Sequence, residues 1–164
     1  MNNNIILIGM PGSGKSTVGV LLAKILGYSF IDSDLLIQLN EGKKLYEIIN
    51  QDGTDYFLNL EDKVNSQIKA ENTVIATGGS VVYCENAMQH LKSIGTVVYI
   101  RVTHGQLEKR INNISTRGVV MLKDGNLRRL FDERTPLYEK YADIIVDNND
   151  DSLIANAEKI AAAL

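Results

Sequence analysis

Tryptophan is absent from this 164-residue sequence, cysteine occurs once and proline twice. A lone cysteine, Cys84, cannot close an intrachain disulfide or build a cysteine-cluster metal site, and it fits a reducing, cytoplasmic setting. No proline-rich, low-complexity or repeated stretch marks a linker, so residues 1–164 read as one domain with a sizeable core. An excess of positive charge is also missing. Lys and Arg number 17 against 20 Asp and Glu, a net charge of −3, which gives no footing for a nucleic-acid partner. No apolar run approaches the ~20 residues that span a bilayer, and the start lacks the basic region of a signal peptide, so no membrane association is expected. The two histidines, His90 and His104, lie far apart without a ligand pattern and read as surface residues. Nothing argues for an oligomer, and a monomer is the expectation.

What is present is concentrated near the start. The apolar run Ile5–Ile8 leads into Gly9-x-x-x-x-Gly14-Lys15-Ser16 and then into a helical pattern. Strand, glycine-rich turn and helix are the setting in which this spacing forms a phosphate-binding loop. Glycines let the backbone curl until successive N–H groups converge, and the helix start adds positive potential, so the loop suits a polyanion. A lysine here reaches the β- and γ-phosphates, and the hydroxyl after it ligates Mg²⁺. Gly12, Ser13, Gly14, Lys15, Ser16 and Thr17 are therefore the candidate nucleotide-binding set, with Lys15 also a catalytic candidate.

Strands and helices alternate along the rest of the chain. Ser29–Ile31, Thr73–Ala76, Thr96–Ile100 and Ile144–Val146 join Ile5–Ile8 as short apolar strands without a period of two, as expected of a sheet covered on both faces. Helical patterns occupy Lys15–Leu26, Ser33–Asn40, Lys44–Asn50, Thr54–Ala70, Glu85–Leu91, Gly105–Ile111, Leu127–Lys140 and Ser152–Ala162. The alternation predicts an α/β fold, a parallel sheet between helical layers, with ligands at the carboxyl ends of the strands. Residues 112–126 are polar and aperiodic, the character of a lid over the site.

The second strand ends in Asp32-Ser33-Asp34. Asp32 is the candidate for the magnesium shell, direct or through water, and Asp34 for orienting or deprotonating a hydroxyl nucleophile. The competing role for this pair is to cap the helix that follows. Gly78 and Gly79, after the third strand, expose backbone to a substrate. Arg117, in the 112–126 segment, is a candidate cation for the γ-phosphate. Arg134 lies on a helix that Pro136 is expected to break, and either anion binding or surface ion pairing suits it.

These motifs together resemble the shikimate kinase family over nearly the whole chain. The shared pieces are Gly-Met-Pro-Gly-Ser-Gly-Lys-Ser-Thr-Val-Gly, Phe-Ile-Asp-Ser-Asp, Ala-Thr-Gly-Gly, the arginine in the 112–126 segment and Glu-Arg-Thr-Pro-Leu-Tyr-Glu-Lys-Tyr-Ala-Asp. The resemblance implies a three-layer α/β/α fold with a five-stranded parallel sheet of the nucleoside-monophosphate-kinase type. It implies a substrate-binding segment at about 33–61 and transfer of the ATP γ-phosphate to the 3-hydroxyl of shikimate. It also implies that Arg110 packs on adenine, Arg117 serves the phosphates, Gly78 and Gly79 contact substrate, and Arg134 pairs with the substrate carboxylate. Two positions depart from the family pattern. Leu58 stands where the family carries a second carboxylate-binding arginine, and Ser80 stands where it carries a third glycine. A hydroxylated acceptor without a carboxylate is the alternative substrate, and a nucleotide-binding module without catalysis is the alternative function.

Overall fold

The computed structural model describes residues 3–111, 125–149 and 152–164. Five strands form one all-parallel sheet in the order β2-β3-β1-β4-β5: β1 Asn4–Ile8, β2 Ser29–Asp32, β3 Thr73–Ala76, β4 Gly95–Arg101 and β5 Ile144–Asp147. Parallel pairing sets Leu7 beside Ala76 and Val98, so β1 and β3 end within one residue of each other while β4 runs two residues further. Every residue of β1 is buried, which is why its sequence is continuously apolar rather than alternating.

The helices among the described residues are α1 Lys15–Leu26, α2 Ser33–Glu41, α3 Leu45–Asp52, α4 Thr54–Ser66, α5 Glu85–Ile94, α6 His104–Arg110, α7 Leu127–Tyr141 and α8 Leu153–Ala163. α1 and α8 pack together on one face of the sheet; α5 and α7 cover the other, with α4 against α5. The chain leaves β1 toward the β2 edge and leaves β4 toward the β5 edge, which opens a crevice above the sheet beside the loop after β1. Segment α2–α4 has a small apolar cluster of its own, in which Ile37, Leu45, Ile48, Phe57 and Val64 are buried.

Some expectations require correction. α7 is not broken at Pro136; it continues to Tyr141. Proline removes one backbone donor at a cost of ~3 kcal/mol. Burial of Leu130, Arg134 and Tyr138 along one stripe, with Tyr138 stacked 5.1 Å from Tyr99, offsets it. α4 ends at Ser66 rather than Ala70: Asn65 Nδ2 donates to the Glu61 carbonyl at 2.8 Å and Ser66 Oγ to that of Asp62, local bonds that compete with a further turn. His90 and His104 are half-buried rather than on the open surface. His90 Nε2 lies 2.7 Å from the Ile68 carbonyl oxygen, and the His104 ring meets Phe131 edge-on.

Candidate active site

The glycine-rich loop joins β1 to α1 in the way its sequence requires. Gly14 caps α1 at a φ of 94°, a left-handed conformation that side chains rarely adopt. Lys15 starts the helix, and its side chain curls back over the loop. Its Nζ donates to the carbonyls of Gly9 at 2.7 Å and Met10 at 2.9 Å. Burial lowers the ammonium to about 8, opposed first by the nearby charge of Asp34. Ser13 is fully buried, whereas Ser16 and Thr17 are exposed and line a groove shared with Asp32.

Asp32 caps α2 and is also bonded to the glycine-rich loop. One carboxylate oxygen caps α2, accepting from the backbone of Asp34 at 3.0 Å and Leu35 at 3.4 Å. The other accepts from Ser16 Oγ at 2.7 Å. The capping bonds hold the carboxylate in place, and the free edge of the pair presents oxygen ligands to the groove. Asp34, two residues on, turns the other way. Its Oδ1 is buried with no hydrogen-bond partner among the described residues. Burial first, then the charge of Asp32, raises its carboxyl to about 6 against the pull of Lys15.

The loop after β3 brings its two glycines to this carboxylate. A Cβ on Gly78 would lie 2.8 Å from Asp34 Oδ1 and 2.5 Å from Glu61 Oε1, so a side chain there would have to displace these carboxylates. A Cβ on Gly79 would lie 3.1 Å from Arg134 Nη1. Arg134 is 1% exposed, which excludes the surface ion pairing open to it from sequence. Its Nε donates to the Tyr83 hydroxyl at 3.3 Å, and the guanidinium lies over the Tyr83 ring. Tyr138 donates to the Gly79 carbonyl at 2.6 Å and fixes the same loop to α7. Asp34, Gly78, Gly79 and Arg134 thus meet in one place. Leu58 is half-buried and packs on the main core.

Two residues at the site escape a reading of the sequence as motifs. Glu61 is fully buried on α4, and its Oε2 accepts from Ser80 Oγ at 2.6 Å. Burial raises its carboxyl to about 8, with the Ser80 bond as the largest opposing influence. An acid on the otherwise apolar stripe of Phe57, Leu58 and Val64 is the signal that identifies it. Asn148, after β5, is also buried, and donates to the Ser13 carbonyl at 3.2 Å. Arg110 Nη2 reaches the carbonyl of the same asparagine at 3.2 Å, which places it at the rim of the loop. Arg117 and most of the 112–126 segment lie outside the described residues.

Raised carboxyls at Asp34 and Glu61 carry a cost to stability. Through the window from about 4 to about 8 the folded chain keeps protons that the unfolded chain has released. Stability contributed by these two sites therefore falls as pH rises through that window.

Residues 11–164 match the family model described as shikimate kinase. The chain belongs to the shikimate kinase family. A shikimate kinase of Clostridium botulinum (strain Loch Maree, type A3) is 42% identical over 157 residues, 93% of this chain and 92% of that relative. Among solved structures, a shikimate kinase from Acinetobacter baumannii in complex with shikimate superposes with a TM-score of 0.88 at 30% identity, covering 97% of this chain and 90% of that one. The enzyme from Aquifex aeolicus gives 0.82 at 34% identity, with 98% and 95% covered. Membership bears out the α/β kinase fold and the enzyme class, and sets aside a module without catalysis. Among the described residues no helix is long and apolar enough to cross a membrane.

Proposed function

We propose that this chain is a single kinase domain that transfers the γ-phosphoryl group of ATP to the 3-hydroxyl of shikimate. The observation that carries the acceptor is the setting of two consecutive glycines: Gly78 lies against the Asp34 carboxylate, Gly79 against the buried Arg134 guanidinium. A molecule seated on that backbone meets an acid at one end and a cation at the other, which are the demands of a hydroxy acid. The similarity to the Acinetobacter enzyme solved with shikimate supports the same acceptor.

In this reading the backbone of residues 12–17 and Lys15 hold the β- and γ-phosphates. Lys15 must leave the carbonyls of Gly9 and Met10 to follow the charge of the transferring group. Asp34 orients the 3-hydroxyl and accepts its proton. A carboxyl raised to about 6 is ionised at neutral pH yet more basic than an ordinary aspartate. Arg134 fixes the acceptor by its carboxylate, and Arg110 packs on adenine. Residues 33–61, which carry their own apolar cluster, serve as the acceptor-binding segment. Ser16 Oγ and Asp32 would hold Mg²⁺. The pair offers only oxygens and suits an ion whose remaining ligands are phosphate and water. When bound, that ion neutralises charge on the phosphates.

An ADP-release assay over shikimate, quinate and neutral polyols tests the acceptor. The expected result is release stimulated most by shikimate, with the product phosphorylated at the 3-hydroxyl. Faster turnover with a neutral polyol would overturn it.

A further inference from the structure

Glu61 and Ser80 form a buried pair that neither nucleotide binding nor the roles of Asp34 and Arg134 explain. Glu61 is 0% exposed and Ser80 5%. The Ser80 hydroxyl donates to Oε2 at 2.6 Å, and the Cys84 thiol, a weak donor, lies 4.0 Å from the same oxygen. Oε1, like Asp34 Oδ1, is buried with no hydrogen-bond partner among the described residues. Both oxygens crowd the same side of Gly78, at 2.5 and 2.8 Å from where its Cβ would stand. Two oxygens therefore converge where a ligand approaches the backbone, and each costs free energy until it is hydrogen-bonded.

The chain reaches this arrangement by both departures from the family pattern. Leu58, one turn before Glu61 on α4, supplies no charge, and Ser80 supplies the hydrogen bond.

We propose that Ser80 is a positioning residue for the acceptor. By engaging Oε2 it holds Oε1 toward Gly78, where Oε1 takes a second hydroxyl of the acceptor beside the one on Asp34. A hydroxyl satisfies this oxygen in either state of Glu61, donating to a carboxylate and accepting from a carboxyl. The site selects a polyhydroxylated acceptor over one with a single hydroxyl. The inference rests on the acceptor pocket assigned under the proposed function.

The test is steady-state kinetics of the wild type, Ser80→Ala, Glu61→Gln and the double variant, with shikimate and its 4-deoxy and 5-deoxy analogues. The wild type is expected to disfavour one analogue by about tenfold in KM, the scale of one hydrogen bond to a charged or buried group. Ser80→Ala is expected to raise KM for shikimate by about fivefold or more and to shrink that preference to about twofold, with kcat and the KM for ATP nearly unchanged. In the Glu61→Gln background the same substitution is expected to change KM by less than about twofold, because the two side chains act as one unit. A preference retained in Ser80→Ala, or effects that multiply in the double variant, would overturn the role of Ser80. If Glu61→Gln fails to fold, the analogue preference of Ser80→Ala decides alone, since a general loss of packing weakens all three acceptors equally. Absence of shikimate-dependent ADP release from the wild type would instead remove the acceptor reading beneath the proposal, and the proposal with it.

Discussion

The two ends of the site are built on opposite plans. At the phosphate end the donors are backbone groups of one contiguous loop, and its two principal charged side chains are hydrogen-bonded within the protein. Lys15 rests on two carbonyls, while Asp32 takes bonds from Ser16, Asp34 and Leu35. At the acceptor end the groups come from β2–α2, α4, the loop after β3 and α7, and two of their oxygens are left buried and unbonded among the described residues. The first plan holds a shape; the second holds an unmet demand. Binding a nucleotide therefore exchanges one set of hydrogen bonds for another, whereas binding the acceptor relieves a standing cost.

The severest challenge to the comparison is Lys15→Ala. The strand, the helix and the Gly14 cap around the loop do not depend on that side chain, so the fold is expected to survive, while phosphoryl transfer falls by about a thousandfold or more. Turnover and thermal melting measured together check this; turnover within about tenfold of the wild type would remove Lys15 from the chemistry.

Asp34→Asn attacks the other end. Turnover is expected to fall by about a hundredfold or more, with nucleotide affinity little changed. The wild type is expected to lose acceptor-dependent kcat/KM as pH falls below about 6, where Asp34 takes up its proton. That acidic limb should vanish from the residual rate of the variant. A variant that keeps the limb would assign it to another group.

The smallest effect sharpens the distinction between a charged and a neutral acceptor. Leu58→Arg adds a cation one turn before Glu61, and KM for shikimate is expected to fall by about tenfold, the worth of one charge-assisted bond. Kinetics with shikimate beside neutral polyols read the sign. A raised KM for shikimate would mean that no carboxylate lies near position 58.

The contrast also explains what the sequence reveals. A contiguous loop leaves a contiguous signature, so residues 9–17 declare the phosphate site and its strand and helix at once. The five strands emerge nearly residue for residue, because short apolar runs stand between helical patterns, fully buried in β1 and β3 and partly exposed at the edges. Glu61 does not emerge as a site residue. A single acid on a helix looks solvated until α4 is seen to turn it under Gly78. Arg134 is ambiguous for the same reason: its acidic neighbours Asp132 and Glu133 are exposed while its own side chain is buried. The continuation of α7 through Pro136 is hidden too, since local propensity argues against it and only packing argues for it.

The posture of Lys15 has a consequence for competition among anions in a cell. Its ammonium is engaged by the carbonyls of Gly9 and Met10, so the lysine latches the loop. A single inorganic phosphate must break both contacts and returns few in exchange. A triphosphate arrives with many oxygens on one chain and replaces them together with the converging N–H groups. Such a latch is expected to favour the longer nucleotide over inorganic phosphate.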